Sequence, residues 1–262
     1  AALHLPVPMP YRQALAFLAQ HKTPAFLFGD RYLGGRAYFY PALVAVKTPL
    51  ASLVLWVAGL VVLLANRRRR KLAAFLLFPL LFFLSIAVAG HFNIGVRHIL
   101  PLYFFMPVVA GAVVLVKRRW ALAATVALIA LAGVSTWSQY PSYLAYVNEA
   151  FGGPNNAYKL VSDSNLDWGQ DLYHAESYLK EWFPHRQVAL AYFGTVPVEP
   201  SVDFFSPSHA AWRRFGAATP HVIAISCSWE VYNPTLWHQV VRWAGPEPVA
   251  QVGHSILIFQ RP

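Results

Sequence analysis

The sequence predicts an α-helical polytopic membrane region of four transmembrane helices followed by a small α/β extracytoplasmic domain. Three observations carry this reading. Of the 262 residues, 57% are hydrophobic and 12% charged, a balance too apolar for a wholly soluble chain. Four stretches, Pro49–Ala65, Leu72–Gly90, Ile99–Val116 and Trp120–Trp137, approach the roughly 20 apolar residues that cross a hydrocarbon core. After Ser138 the composition changes: seven Lys and Arg stand against ten acids, and the long apolar blocks end.

The formal charge of +10 would suit a nucleic-acid partner. Eight of the cations, however, fall in two clusters, Arg67 to Lys71 and Lys117 to Arg119, each between apolar blocks, and without them the excess is +2. No nucleic-acid partner is expected. The clusters occupy alternate gaps, so the positive-inside rule places both on the cytoplasmic side of the plasma (inner) membrane. Residues 1–48, the loop from His91 to His98 and the chain after Ser138 then face outward. Short gaps make the helices antiparallel neighbours, each satisfying its own backbone hydrogen bonds. Cys227 is the only cysteine, which excludes a disulfide framework; on this topology it is expected to react with a membrane-impermeant label from outside.

The chain divides into three regions. Residues 1–48 form an exterior interfacial segment, in which Tyr11, Ala14, Leu15, Leu18 and Ala19 share one helical face. Its aromatic cluster, Tyr32, Tyr38, Phe39 and Tyr40 beside Arg31, Arg36 and Lys47, has the composition of a headgroup-level belt. The chain starts at Ala1 without a signal-peptide pattern, so a processed protein or the C-terminal part of a longer one is expected. Residues 49–138 are the four-helix transmembrane region. Residues 139–262 are the extracytoplasmic domain, with strands read at Val188–Phe193, Val222–Ser226 and Ser255–Gln260 and a helix whose face carries Leu172, Ala175, Tyr178, Leu179 and Trp182.

Two segments carry candidate chemistry. In the run from Gly90 to Pro101, Arg97 and His98 stand at the mouth of the third span. Free N–H groups and the helix dipole favour an anion there, and a guanidinium adds paired donors that match phosphate oxygens. A lipid phosphate fits; simple snorkelling of Arg97 is the competing reading. Lys47, followed by Thr48 and Pro49, repeats the pattern at the mouth of the first span, so Arg97, His98 and Lys47 are the candidate lipid-phosphate ligands. The second segment runs from Ser162 to Asp171. Its alternating oxygens resemble a calcium loop, yet Trp168 and His174 occupy the positions that need Gly and Glu. Asp167 with Gln170 reads as a capping-box helix start. Asp163, Asn165, Asp167, Trp168, Gln170 and Asp171 are candidate sugar or acceptor contacts, since carboxylates beside an indole suit hydroxyl-rich ligands. No zinc-type His or Cys spacing appears, and no metal ligands are assigned.

These residues resemble bacterial glycosyltransferases of the GT-C class, in the family-39 group similar to dolichyl-phosphate-mannose-protein mannosyltransferases. The resemblance rests on Pro10-Tyr11, Phe28-Gly29-Asp30, Tyr38-Phe39-Tyr40-Pro41 running into Lys47-Thr48-Pro49, Asn93 through Arg97-His98 to Pro101, and Tyr143 to Tyr146 with Asp163 through Asp171. It covers the chain to about residue 180. It implies transfer of a sugar from a polyprenyl-phosphate carrier to an extracytoplasmic acceptor, as in protein glycosylation. Cationic groups would stabilise the departing phosphate, and a carboxylate would activate the acceptor or hold a divalent cation. The catalytic residue itself stays unassigned: in relatives the essential acid lies in the first exterior loop, and Asp30, the only acid ahead of the first span, matches another position. The resemblance therefore implies the C-terminal portion of a transferase whose missing N-terminal transmembrane region supplies that acid, with membrane lipid and the carrier-linked sugar as its other partners. The alternative is a non-catalytic membrane protein whose exterior domain binds a sugar or a protein.

Overall fold

A computed structural model describes residues 23–90, 92–184, 188–194 and 221–261, together with Met9 and Gln13. The interfacial helix expected from Tyr11 to Ala19 falls, but for Gln13, outside the described residues. Next in the chain is an antiparallel hairpin that the sequence did not signal, β1 (Pro24–Leu27) and β2 (Asp30–Leu33). Phe28 and Gly29 both take positive φ at its tip, the two-residue geometry whose twist matches the flanking strands.

Helix α1 (Phe39–Lys47) meets α2 (Leu50–Ala65) at an angle of 115°. The bend sits at Thr48-Pro49, where proline holds the preceding residue extended; Thr48 has φ −105° and ψ 135°. Helices α3 (Arg70–Ala89) and α4 (Leu100–Ala110) come next, α4 tightening into 3-10 turns over Gly111–Leu115, and α5 (Arg119–Trp137) closes the bundle. Three segments are long and apolar enough to cross a membrane: Arg67–Ala89, Val96–Leu115 and Arg119–Trp137. The fourth expected span needs qualification. Helix α2 has 16 residues, about 24 Å of rise, and reaches spanning length only when α1 is counted with it across the bend.

Helix α2 packs against α3, α4 and α5. Leu63, Ala73, Val109 and Ala112 form a small core at one end of the bundle. The turns bearing Arg67–Lys71 and Lys117–Arg119 lie at that end. At the opposite end a larger core joins α1 and the helix mouths (Phe39, Tyr40, Leu43, Ile99, Met106) to the sheet.

The chain then passes through the single-turn helix α6 (Ala157–Leu160) and α7 (Leu172–Trp182) into a four-stranded sheet of order β3-β4-β6-β5, with β3 (Val188–Ala191), β4 (Val222–Ser226), β5 (Ala250–Val252) and β6 (Ile256–Gln260). β3 and β4 are parallel; the other pairings are antiparallel. Alternation of side chains divides two cores. Val188, Leu190, Val222, Ala224, Ile256 and Ile258 pack on Leu172, Ala175 and Leu179 of α7, with Tyr178 half-buried beside them, most of the face expected from helical spacing; Trp182, expected on it too, is exposed. Ala189, Ala191, Ile223, Ile225, Leu257 and Phe259 face the other way, toward Leu236, Trp237 and Val240 and the bundle mouth. Burial on both faces is why these strands read as unbroken apolar runs. Helices α8 (Trp229–Tyr232) and α9 (Pro234–Ala244) complete the domain.

Candidate functional site

The two motif-bearing segments, about 70 residues apart in sequence, are bound to each other at the boundary between bundle and sheet domain. Asn165, buried in the turn Asp163–Asn165, accepts from the Val96 N–H at 3.0 Å and donates to Ile94 O at 3.1 Å. Ser164 Oγ donates to the same Ile94 carbonyl at 2.9 Å. Gly95 allows the approach: a Cβ there would overlap the Ser164 hydroxyl. Lys47, the last residue of α1, donates to Leu144 O and Asn165 O, each at 2.6 Å. Two of its three ammonium donors are thereby committed to backbone carbonyls, so Lys47 braces this turn from below.

Arg97 projects from the 3-10 turn Val96–Ile99 that leads into α4. Its guanidinium carbon lies 4.9 Å from the centroid of the Trp168 ring, a cation–π contact. Arg97 is exposed and makes no hydrogen bond or ion pair among the described residues. His98 beside it is also exposed.

Asp163 is half-buried with φ 55°, a conformation that non-glycine residues adopt at a cost. Burial pushes its carboxyl up, opposed by bonds from the Ser164 N–H and the Tyr232 hydroxyl and by the Arg97 charge. Tyr232 is pushed up in turn, by burial and by the Asp163 charge. The Phe193 ring stacks on Tyr232 at 5.1 Å, and Trp229 meets Phe193 edge-on at 6.0 Å. Tyr232, Phe193 and Trp229 were not singled out from sequence. A signal was present: all three lie beyond the carboxyl ends of the parallel strands β3 and β4, where ligand sites of α/β sheets gather.

The remaining predicted contacts separate by exposure. Trp168 is 59% exposed, and Gln170 is exposed too. Asp167 is fully buried; its Oδ1 accepts from the Gly169 N–H at 2.8 Å and its Oδ2 has no partner among the described residues. Burial pushes its carboxyl up to about 6, opposed by the bond from the Gly169 N–H. Asp171 is buried as well, accepting from Ser255 Oγ at 2.6 Å and Gln170 Nε2 at 3.1 Å. Asn165, Asp167 and Asp171 thus act on the protein itself.

The capping-box reading of Asp167 and Gln170 is corrected. Helix α7 starts at Leu172, with Asp171 at the cap position and no side-chain cap bond. Gln170 instead turns back, Oε1 accepting from the Trp168 N–H at 2.8 Å. Gly169 dictates this: its φ is 75°, and a Cβ would overlap the Tyr192 hydroxyl, which donates to Gly169 O at 2.8 Å. The segment therefore forms a turn seated on the end of β3. The labelling expectation for Cys227 is corrected too, because the residue is 1% exposed and burial pushes its thiol well up, away from the reactive thiolate.

Elsewhere in the aromatic cluster, Arg36 covers the Tyr32 ring at 4.0 Å and pairs with Asp30 at 3.2 Å. Asn93 donates to Tyr32 Oη at 2.9 Å, and the Tyr40 hydroxyl donates to Phe92 O. These bonds fix the loop ahead of Arg97. No group of three His, Cys, Asp or Glu among the described residues is arranged to hold a metal, and no step is assigned to one. No known protein family, curated protein or solved structure matches the chain.

Proposed function

We propose that this chain is the carrier-recognising portion of an integral-membrane glycosyltransferase, which moves a sugar from a polyprenyl-phosphate carrier to an acceptor on the extracytoplasmic side of the plasma (inner) membrane. One observation carries the proposal: Arg97 stands over the exposed Trp168 ring at 4.9 Å, where the apolar helices meet the sheet domain, with no protein anion bound to it among the described residues. Its donors remain free for an external anion.

The membrane setting is supported by the outer faces of the helices. Phe75 is 74% exposed, Phe104 73% and Trp137 80%, values that suit hydrocarbon and cost free energy in water. The two basic turns share the end away from the sheet domain, which the positive-inside rule makes cytoplasmic. The sheet domain is then extracytoplasmic, and Arg97 lies at the outer headgroup level.

When the bond from the anomeric carbon to the carrier oxygen breaks, negative charge grows on the phosphate. A guanidinium held in advance at that place stabilises the developing anion without reorganisation. Trp168 fixes one guanidinium face, the Asn165 clamp fixes the backbone beneath it, and Lys47 braces the Asn165 turn through its carbonyl. Asp163 and the Tyr232 hydroxyl offer polar contacts for sugar hydroxyls beside the indole. Leaving-group stabilisation, not acceptor activation, is the role assigned to these residues.

The test uses the full chain in detergent, titrated with farnesyl phosphate and, separately, with farnesol. Farnesyl phosphate is expected to bind more tightly. Arg97→Ala should lower its affinity about tenfold or more, the scale of a charge-assisted hydrogen bond, with farnesol unaffected. Trp168→Ala should cost a few-fold and Trp168→Phe less, on the scale of a cation–π contact. Equal binding of phosphate and alcohol, or undiminished binding by Arg97→Ala, overturns the reading.

A further inference from the structure

At the end of the bundle opposite Arg97, a cavity of about 290 Å³ is lined by Lys117, Arg118 and Arg119 over Val113, Val116 and Leu122. Its cations have no acidic partner: none of the ion pairs among the described residues involves them. Three neighbouring positive charges without a counter-ion repel one another, so the cavity attracts an anion.

A second cavity, of about 380 Å³, adjoins the first; Val114 and Thr125 line both. It runs between α4 and α5 with α2 as its floor, past Leu55, Met106 and Ile129 toward Tyr103. The gap has a local cause. Pro107 interrupts the backbone ladder of α4, and the chain tightens into 3-10 turns from Gly111. The small residues Ala110 and Gly111 leave that wall thin. Cationic space at the bundle end thus continues into an apolar channel along the helices.

We infer that this joined cavity is a binding site for an anionic phospholipid, with the headgroup phosphate at Lys117–Arg119 and one acyl chain in the channel between α4 and α5. A free phosphate would satisfy the cations and leave the channel unfilled, and a neutral lipid would fill the channel and leave the cations unmatched. Only a molecule with both parts answers both. Basic pockets between helices at the cytoplasmic end favour acidic headgroups for this reason. The inference rests on the membrane setting proposed above and is independent of glycosyl transfer; its cationic end is remote from Arg97, while its channel extends to the bend at Thr48 and Pro49.

The test reconstitutes the full chain into phosphatidylcholine vesicles containing trace spin-labelled phosphatidylglycerol or spin-labelled phosphatidylcholine and measures the motionally restricted fraction of each. Phosphatidylglycerol is expected to be preferred about tenfold. Neutralising the cavity with Lys117→Gln, Arg118→Gln and Arg119→Gln should abolish the preference, while neutralising Arg68 and Arg69 at the neighbouring turn should keep most of it. Ile129→Trp, which fills the channel and leaves every cation in place, should lower retention of phosphatidylglycerol as well. Added inorganic phosphate should compete weakly. Equal retention of the two lipids, persistence of the preference in the triple variant, or equal loss from Arg68→Gln/Arg69→Gln overturns the inference. Arg97→Ala is expected to leave the preference unchanged, so failure of the carrier reading and failure of this one are read separately.

Discussion

The Asn165 side chain accepts a hydrogen bond from the Val96 N–H at 3.0 Å, across 69 residues of sequence. That one carboxamide also donates to Ile94 O and to Ser162 O, so it holds the loop before Arg97 against the turn before Trp168. Asn165→Ala should destabilise the protein by about 2–4 kcal/mol, because three bonds, one buried and two part-buried, are lost and backbone partners are left unsatisfied. Asn165→Asp should be no better, since a carboxylate would face the Ile94 carbonyl. Thermal unfolding of the full chain checks both; a loss of stability under 1 kcal/mol for the alanine variant, about the net worth of a single hydrogen bond, would remove Asn165 from its role as a clamp.

How much of this was legible in sequence depended on whether a feature is fixed locally. β4 appears over Val222–Ser226 as read; of the face read on α7, Leu172, Ala175 and Leu179 are buried, Tyr178 is half-buried and Trp182, at the helix end, is 63% exposed. The basic turns and apolar helices were likewise visible, being matters of composition. Features decided by tertiary contact were not. Asp167 and Gln170 have the spacing of a cap, yet Tyr192 and Gly169 hold that segment as a turn. The hairpin Pro24–Leu33 has strands of four residues, and its support comes from afar: Phe28 N–H donates to Leu160 O at 2.8 Å, and Arg31 Nε to Val231 O at 2.7 Å. Arg97 and Trp168 were each singled out; their contact was not, because Asn165 creates it.

Topology is testable once the burial of Cys227 is respected. The native thiol should stay unreactive toward an impermeant maleimide in intact cells and in vesicles of either orientation, until denaturant is added. A Cys227→Ala background carrying Tyr173→Cys places a thiol on α7 where the native side chain is 67% exposed. That variant should react from outside intact cells, and an Arg68→Cys variant in the same background only after the cytoplasmic face is opened. The opposite pattern would invert the orientation.

Stability should fall as pH rises from about 4 to about 7, for a reason lodged in two acids, Asp167, which is buried, and Glu230, which is half-buried. Burial pushes the Asp167 carboxyl from 3.8 up to about 6 and that of Glu230 from 4.5 up to about 7. Between the two values of each group the folded chain binds more protons than the unfolded chain, so the slope of unfolding free energy against pH is negative there. The penalty is absent below the unfolded values and complete above the folded ones. Asp167→Asn removes it while an amide oxygen can still accept from the Gly169 N–H. This variant should be more stable than the parent by about 2 kcal/mol at pH 8, a scale set by about 1.36 kcal/mol for each tenfold change in proton affinity, and level with it near pH 4. Glu230→Gln should behave alike, with its window displaced toward neutral pH and a smaller gain, about 1 kcal/mol, because Glu230 is partly open to solvent. Thermal unfolding at pH 4, 6 and 8 decides the matter: a gain from Asp167→Asn that is the same at all three would mean that the buried carboxylate is not the source.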